Sequence, residues 1–308
     1  MANTAINHCG YVAIVGRPNV GKSSLLNRIL GQKISIISRR PQTTRHRIVG
    51  IKTALGCQAI YVDTPGLNTG AKRAMNRYMN RAASTAINEV DAIVFVVEAL
   101  RWTEQDDYVL AKLKTSTVPV ILLINKVDKL ADKKALLPYM AELSGKLNFA
   151  QIIPVSAKNG ENVALLEEKI AALLPIAQPF YPEDQITDRS ERFLAAELIR
   201  EKLMEDLGEE LPYALTVEIE QFADAESKAG ESEQAEGMAH IRAVIWVERQ
   251  GQKAIVIGKN GARLKSIGQQ ARLDMEEVFQ RKVFLQLWVR VKEDWSDDAR
   301  ALASLGYD

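Results

Sequence analysis

The chain has 308 residues, 47% hydrophobic and 26% charged, with 40 Lys and Arg against 39 Asp and Glu for a formal net charge of +1. That balance excludes a polyanion partner gripped by the whole surface, so any basic face must be local. Cys9 and Cys57 are too few for a disulfide framework and lie in no zinc-ligand spacing; two buried thiols in a reducing compartment are expected.

The amino-terminal "MANTAINHCG" lacks the basic region of a secretory leader, and the apolar "YVAIV" after it is too short for a signal core. The longest apolar runs, "AIVFVV" and "VILLI", are strand-sized, well below the roughly 20 residues of a membrane span. A cytoplasmic protein is expected. From Tyr11 to Leu174 the runs "YVAIV", "HRIVGIKTA", "CQAIYVD", "DAIVFVV", "VPVILLIN" and "QIIPVS" alternate with amphipathic helical stretches. Near-continuous apolar strands suit a sheet covered on both faces. The runs flanking Leu55-Gly56 read as a hairpin, which adds one antiparallel edge strand to a mostly parallel α/β sheet.

"GRPNVGKS", residues 16–23, fits the frame G-x-x-x-x-G-K-S/T, after a strand and before a helix that stops at Gly31. Gly16, Arg17, Pro18, Asn19, Val20 and Gly21 would wrap backbone N–H groups around a phosphate, with the positive end of the helix behind them. Lys22 is expected at the β- and γ-phosphates, and the Ser23 hydroxyl on Mg²⁺. "DTPG", residues 63–66, also follows a strand. Asp63 can hold Mg²⁺ through water, Thr64 and Pro65 shape the turn, and the Gly66 N–H can sense the γ-phosphate. Between the two lies "SRRPQTTRHR", residues 38–47, polar, basic and proline-broken, as a loop that orders around a triphosphate should be. Thr44, preferred over Thr43, completes the Mg²⁺ set with Ser23 and Asp63. Arg39, Arg40, Arg45 and Arg47 need be no more than a solvated basic face.

The base is read elsewhere. "NKVD" (Asn125, Lys126, Val127, Asp128) ends a strand at the carboxyl edge of the sheet, where ligands bind in such folds. The Asp128 carboxylate can accept from guanine N1–H and its 2-amino group; adenine offers neither and would leave it unpaired. "VSAKNG", residues 155–160, supplies a closing loop through Ser156, Ala157 and Lys158, with the Ala157 N–H expected at guanine O6. In order and spacing these motifs look like a GTPase G domain. Many such domains carry a water-orienting glutamine where Leu67 stands here. In similar GTPases with leucine there, an asparagine in the phosphate loop helps bind a monovalent cation, so the resemblance implies that Asn19 helps hold K⁺ as a supplementary charge at the phosphates. The expected catalytic set is therefore Lys22, Thr44, Asp63, Gly66 and Asn19.

Three prolines within "LPIAQPFYPEDQITDRS" mark residues 175–190 as a linker. Beyond it the grammar changes to helix, two strands, two helices and a strand. "GKNG" (Gly258, Lys259, Asn260, Gly261) joins the two later helices. The order and the loop resemble the G-x-x-G of a type II KH domain, an α+β fold, and imply a loop that clamps about four nucleotides of single-stranded RNA. Ile255, Ile257, Leu264 and Ile267 supply the apolar helix faces, and Arg263 and Lys265 follow the loop on its RNA side. From Arg249 to Lys292 ten basic residues face three acidic ones. Trp246 and Trp288, inside strands, are expected in the core; Trp295 either caps the domain or stacks on a base.

"DTPG" followed by Leu67, "QTTRHR", "GKNG", "YPEDQITDRS" and the terminal "RALASLGY" together resemble the Era family, KH-domain GTPases of the TrmE-Era group, over nearly the whole chain. The resemblance implies hydrolysis of GTP to GDP and phosphate. It also implies binding near the 3′ end of 16S rRNA, docking on the immature small ribosomal subunit, and peripheral association with the inner membrane. The expected divisions are a G domain over 1–174, the linker, a KH domain over 191–295 and a tail over 296–308, in a monomer. The loop 223–237 is longer and more acidic than the family pattern. Two other readings stay open: an RNA-binding scaffold with a structural nucleotide, and a membrane-associated regulatory GTPase.

Overall fold

A computed structural model describes residues 8–38, 40, 43–54, 56–67, 74–208, 211–224 and 237–304. Arg39, residues 225–236 of the acidic loop and residues 305–308 lie outside the described residues. The chain divides into two compact units, Met1–Lys72 with Asn76–Asp188 and Arg73–Met75 with Arg189–Asp308.

The first unit alternates strands and helices: β1 (His8–Val15), α1 (Lys22–Leu30), β2 (Ile48–Ala54), β3 (Cys57–Asp63), α2 (Ala74–Asn88), β4 (Ala92–Glu98), α3 (Glu104–Leu113), β5 (Val120–Asn125), α4 (Leu136–Ser144), β6 (Gln151–Pro154) and α5 (Val163–Leu173). The sheet order is β2-β3-β1-β4-β5-β6. Only the β2–β3 pair is antiparallel, closing with Ala54 opposite Cys57 as the hairpin reading requires. Every residue of β3 and β5 is buried, which is why those strands read as mostly apolar runs, broken only by Gln58, Asp63 and Asn125. The order reverses at β1, so the carboxyl ends of β1, β3, β4 and β5 open onto one crevice. Cys9 and Cys57 are both free and buried, and burial pushes the Cys57 thiol up to about 11.

Of the linker expected over 175–190, residues 175–188 fold as part of this unit. The Cys9 N–H donates to the Pro175 carbonyl (3.1 Å), and the Ile51 N–H to that of Ile186 (2.7 Å). Gln58, wholly buried, is the clasp. Its Oε1 accepts from the N–H groups of Phe180 (2.8 Å) and Tyr181 (3.0 Å), and its Nε2 donates to the Tyr181 carbonyl (2.8 Å). The Phe180 ring stacks on Tyr11 at 5.8 Å. The segment forms a strap that covers the open edge of β2, satisfying backbone groups that a bare edge strand would expose.

The second unit runs α6 (Glu191–Asp206), β7 (Leu215–Asp224), β8 (Ala239–Val247), α7 (Gln250–Ile257), α8 (Ala262–Phe279), β9 (Val283–Val291) and α9 (Ala299–Ser304). Its sheet order is β7-β8-β9, with β7–β8 antiparallel and β8–β9 parallel. This is the αββααβ order read from the sequence. The core joins Leu198, Ile199 and Leu203 of α6, Val256 of α7 and Ile267, Ala271 and Met275 of α8 to Ile241, Ala243 and Ile245 of β8. Trp288, expected in the core, is 40% exposed, because alternate residues of β9 point away from the packed helices. Trp246 is half-buried and donates to Glu218 (2.7 Å). Trp295 is fully buried, its indole N–H on the Ala214 carbonyl (3.3 Å), so it caps the unit and stacks on no base. Among the described residues no helix is long and apolar enough to cross a membrane.

Candidate functional site

β1 ends at Val15, and the backbone then turns through Gly16 to Gly21, with Asn19 and Gly21 at φ +64° and +102°. A Cβ on Gly21 would lie 2.3 Å from the Asn125 amide, so only glycine lets this loop and the loop after β5 touch. The contact is closed by Asn125 Nδ2 donating to the Val20 carbonyl (2.8 Å). Lys22 opens α1 and is 6% exposed; its ammonium donates to the carbonyls of Gly16 (3.1 Å) and Arg17 (3.0 Å). An ammonium has three donors, so one is left for an anion. Burial lowers the Lys22 pKa to about 8, against the opposing pull of Asp63. Arg17 turns its guanidinium away from the loop, onto Asp106 (3.0 Å) and Glu98 (2.9 Å), so it offers a phosphate only its backbone. Pro18 is half-buried, Asn19 exposed and Val20 buried.

Ser23 lies one residue into α1. Its Oγ is 2.8 Å from Asp63 Oδ2 and 2.9 Å from Thr44 Oγ1. Thr43 instead donates to the Arg40 carbonyl (2.8 Å), so the structure brings Thr44 into the cluster. Asp63 is wholly buried, and burial pushes its carboxyl up despite the Lys22 charge and hydroxyls of Ser23, Ser35 and Thr44. Its Oδ1 has no hydrogen-bond partner. A buried carboxylate with one orphaned oxygen between two hydroxyls fits a hard divalent cation of the Mg²⁺ kind, which takes few protein ligands and keeps waters and phosphates. No group of three His, Cys, Asp or Glu side chains suited to a metal exists among the described residues. Thr64 donates to the Ile14 carbonyl (3.0 Å), tying this turn to β1; Pro65 is buried and Gly66 lies against Pro18. Leu67 is 1% exposed and packs in the core with Val15 and Phe95, so its side chain orients no water.

After β5, Lys126 takes φ +69° and Val127 is buried. Ser156 donates to Asp128 Oδ1 (2.6 Å) and fixes the carboxylate. The Ala157 N–H, expected at guanine O6, donates here to Asn125 Oδ1 (3.0 Å). A buried amide oxygen needs a donor, and this N–H is within reach. Arg28 of α1 grips the carbonyls of Ala157 and Lys158, and the Lys158 side chain is exposed. The backbone of the first-unit residues named from the sequence lines the crevice, while the side chains of Arg17 and Lys126 turn to Glu98 and those of Leu67 and Val127 pack in the core.

In the second unit, Gly258 at φ +72° ends α7, and a Cβ there would lie 2.7 Å from Arg263 Cβ. Lys259 and Asn260 project as an exposed tip, with Asn260 at φ +51° and Gly261 at φ +76°. Ile257 is half-buried; Val256 is the buried residue of α7, and Ile255 is 49% exposed beside the loop, because a two-turn helix buries one narrow face. Lys265 is exposed one turn on. Arg263 braces the loop, donating to the Ile255 carbonyl (2.8 Å) and pairing with Asp206 (3.1 Å). The ten-to-three basic excess of this stretch is thinner in space. Arg281 pairs with Glu191, Arg290 with Glu220 and Arg272 with Glu276, acids partly drawn from outside the stretch.

Four contributors carried no motif. Ser35 donates to Asp63 (3.0 Å), and Asn27 accepts the N–H groups of Ile34 (3.1 Å) and Ser35 (3.0 Å). Glu98 and Asp106 hold Arg17. Only Glu98 had a readable signal, its place at the carboxyl end of a strand.

Residues 11–126 match the family described as 50S ribosome-binding GTPase, and residues 210–296 the one described as KH domain. GTPase Era of Pseudomonas aeruginosa is 56% identical over 301 residues, 98% of this chain and 95% of its own. GTPase Era of Ectopseudomonas mendocina is 56% identical over 307 residues, 100% of this chain and 99% of its own. A crystal structure of Era with MgGDPNP and nucleotides 1506–1542 of 16S ribosomal RNA has a TM-score of 0.91 at 39% identity, covering 98% of this chain and 99% of that one. A variant of Aquifex aeolicus Era bound to GDP·AlF4⁻ has a TM-score of 0.90 at 38% identity, covering 97% and 99%. With that identity along its whole length, and with a phosphate loop, a base loop and a KH unit in one chain, this protein belongs to the Era family of GTPases.

Proposed function

We propose that this protein is a GTP-hydrolysing switch that binds single-stranded RNA at the 3′ end of 16S rRNA and assists assembly of the small ribosomal subunit. The observation that carries the reading is the full-length likeness to an Era that holds MgGDPNP and nucleotides 1506–1542 of 16S rRNA at once. The loop 16–21 and the amino end of α1 receive the phosphates, with Lys22 already desolvated and held on two carbonyls. Asp128, aligned by Ser156, accepts from the guanine edge. Ser23, Thr44 and Asp63 hold Mg²⁺, which when bound neutralises charge developing on the β- and γ-phosphates. Gly66 offers its N–H to the γ-phosphate, so the turn after β3 reports which nucleotide is present. Leu67 leaves the attacking water to another group. A K⁺ ion coordinated with the help of Asn19 at the phosphate loop would add charge there.

In the second unit the tip Lys259-Asn260 clamps RNA backbone and the flanking Ile255 and Ile257 receive unstacked bases. The test is anisotropy of a labelled RNA matching the 3′ end of 16S rRNA. It is titrated with wild type and a Lys259→Asp, Asn260→Asp double variant, each with GDP and with a non-hydrolysable GTP analogue. Tighter wild-type binding with the analogue, and loss in the variant with both nucleotides, is expected. A variant that binds as well as wild type removes the RNA half of this reading and leaves the GTPase half standing.

A further inference from the structure

Glu98 ends β4 and belongs to none of the nucleotide motifs, yet its two carboxylate oxygens join two of them. Oε2 accepts from Arg17 of the phosphate loop (2.9 Å), and Oε1 from Lys126 of the base loop (3.1 Å). The side chain is 15% exposed, against 7% for Arg17 and 22% for Lys126. Arg17 is held on its other edge by Asp106, which is wholly buried. That same Asp106 oxygen accepts from the Thr103 N–H (2.9 Å) and hydroxyl (2.8 Å), so it is fixed by the start of α3. The backbone repeats the link: the Ala99 N–H donates to the Asn125 carbonyl (2.9 Å). Lys126 sits at φ +69°, a conformation a non-glycine residue keeps only when its surroundings hold it.

We propose that Glu98 is a positioning residue. Through Arg17 and Lys126 it holds the phosphate loop and the base loop at one spacing, and so sets the affinity for guanosine di- and triphosphate alike. This rests on the nucleotide-site reading above. Glu98 bonds none of Ser23, Thr44 or Asp63; it meets the cleaving end only at second hand, through Arg17, whose carbonyl accepts from the Lys22 ammonium (3.0 Å). Removing its charge leaves Arg17 and Lys126 side by side, and also unpairs the more exposed Arg101 (3.8 Å) and Lys129 (4.0 Å) from it. Arg17 keeps Asp106; Lys126, more exposed than Arg17, turns to water, and the base loop loses its tie.

The test uses the full chain and fluorescent GDP and GTP analogues. For Glu98→Gln, dissociation of both nucleotides is expected to speed by the same factor, about ten- to a hundredfold, the range seen when an outer orienting partner is lost. Any change in single-turnover cleavage at saturating GTP is smaller than the change in release. Lys126→Ala also speeds release, and the double variant is no faster than the faster single one, because the two act as one unit. Should Glu98→Gln fold poorly, Glu98→Asp keeps the charge but retracts it by one methylene and is read by the same assays. Unchanged release, faster release of one nucleotide only, additive effects, or slowed cleavage with unchanged release each overturns the proposal. If wild type itself binds no guanine nucleotide, the underlying reading falls; if wild type binds and the variants match it, only the positioning role falls.

Discussion

Replacing Asp63 with Asn should separate the folding of this site from its binding. The wild-type carboxylate is wholly buried; Oδ2 takes hydroxyls from Ser23 (2.8 Å) and Ser35 (3.0 Å), and Oδ1 takes nothing. Burial raises its pKa, with Lys22 pulling the other way. A carboxyl whose folded pKa lies above its unfolded value favours folding below about pH 4, and that contribution is lost as pH rises through the folded value. At pH 7 the nucleotide-free protein therefore carries a cost that a neutral side chain removes. Saturation with Mg·GDP at a hundredfold over Kd adds about 2.7 kcal/mol to wild type, and much less to a variant that has lost a cation ligand. Thermal unfolding with and without Mg·GDP, at pH 7 and pH 5, reads all three effects. The nucleotide-free variant melts higher than wild type at pH 7, that gap narrows at pH 5, and the Mg·GDP shift collapses in the variant. A variant that melts lower without ligand and keeps the full Mg·GDP shift would refute the reasoning.

Asp128→Asn should lower GTP affinity by about a hundredfold or more and raise that for xanthosine triphosphate, because the amide mismatches the guanine edge; competition against fluorescent GDP measures it, and unchanged GTP binding removes the assignment. Gln58→Leu takes the acceptor from two part-buried N–H groups of the strap, at Phe180 and Tyr181, and should cost about 1 kcal/mol while opening residues 176–186 to protease. A strap as resistant as in wild type contradicts its role as clasp. Turnover in KCl is expected to exceed that in NaCl at equal ionic strength, and equal rates dispose of a cation role for Asn19.

How much of this molecule was legible beforehand follows from what each residue touches. The strands of the first sheet were readable because burial on both faces demands mostly apolar runs, as in β5. The phosphate loop, "DTPG" and "NKVD" were readable because a phosphate and a purine edge accept few residue types at few spacings. Trp288 misled because a sheet covered on one face alone sends alternate side chains outward, and no single strand says which parity faces the helices. The strap misled because proline content signals a lack of helix, and the backbone partners of residues 175–188 lie in strands more than a hundred residues earlier. Arg17 is the sharpest case. Its motif assigns it to a phosphate, and its guanidinium belongs to Asp106, 89 residues away, and Glu98, 81 residues away. A residue that meets the ligand is constrained by the ligand and leaves a pattern in the chain. A residue that meets only another residue is constrained by its partner, and the pair can change together and leave no fixed spacing. Nucleotide affinity in this fold therefore depends on side chains that motifs cannot name, and Glu98, which joins two motif residues without belonging to either motif, is where that dependence can be measured.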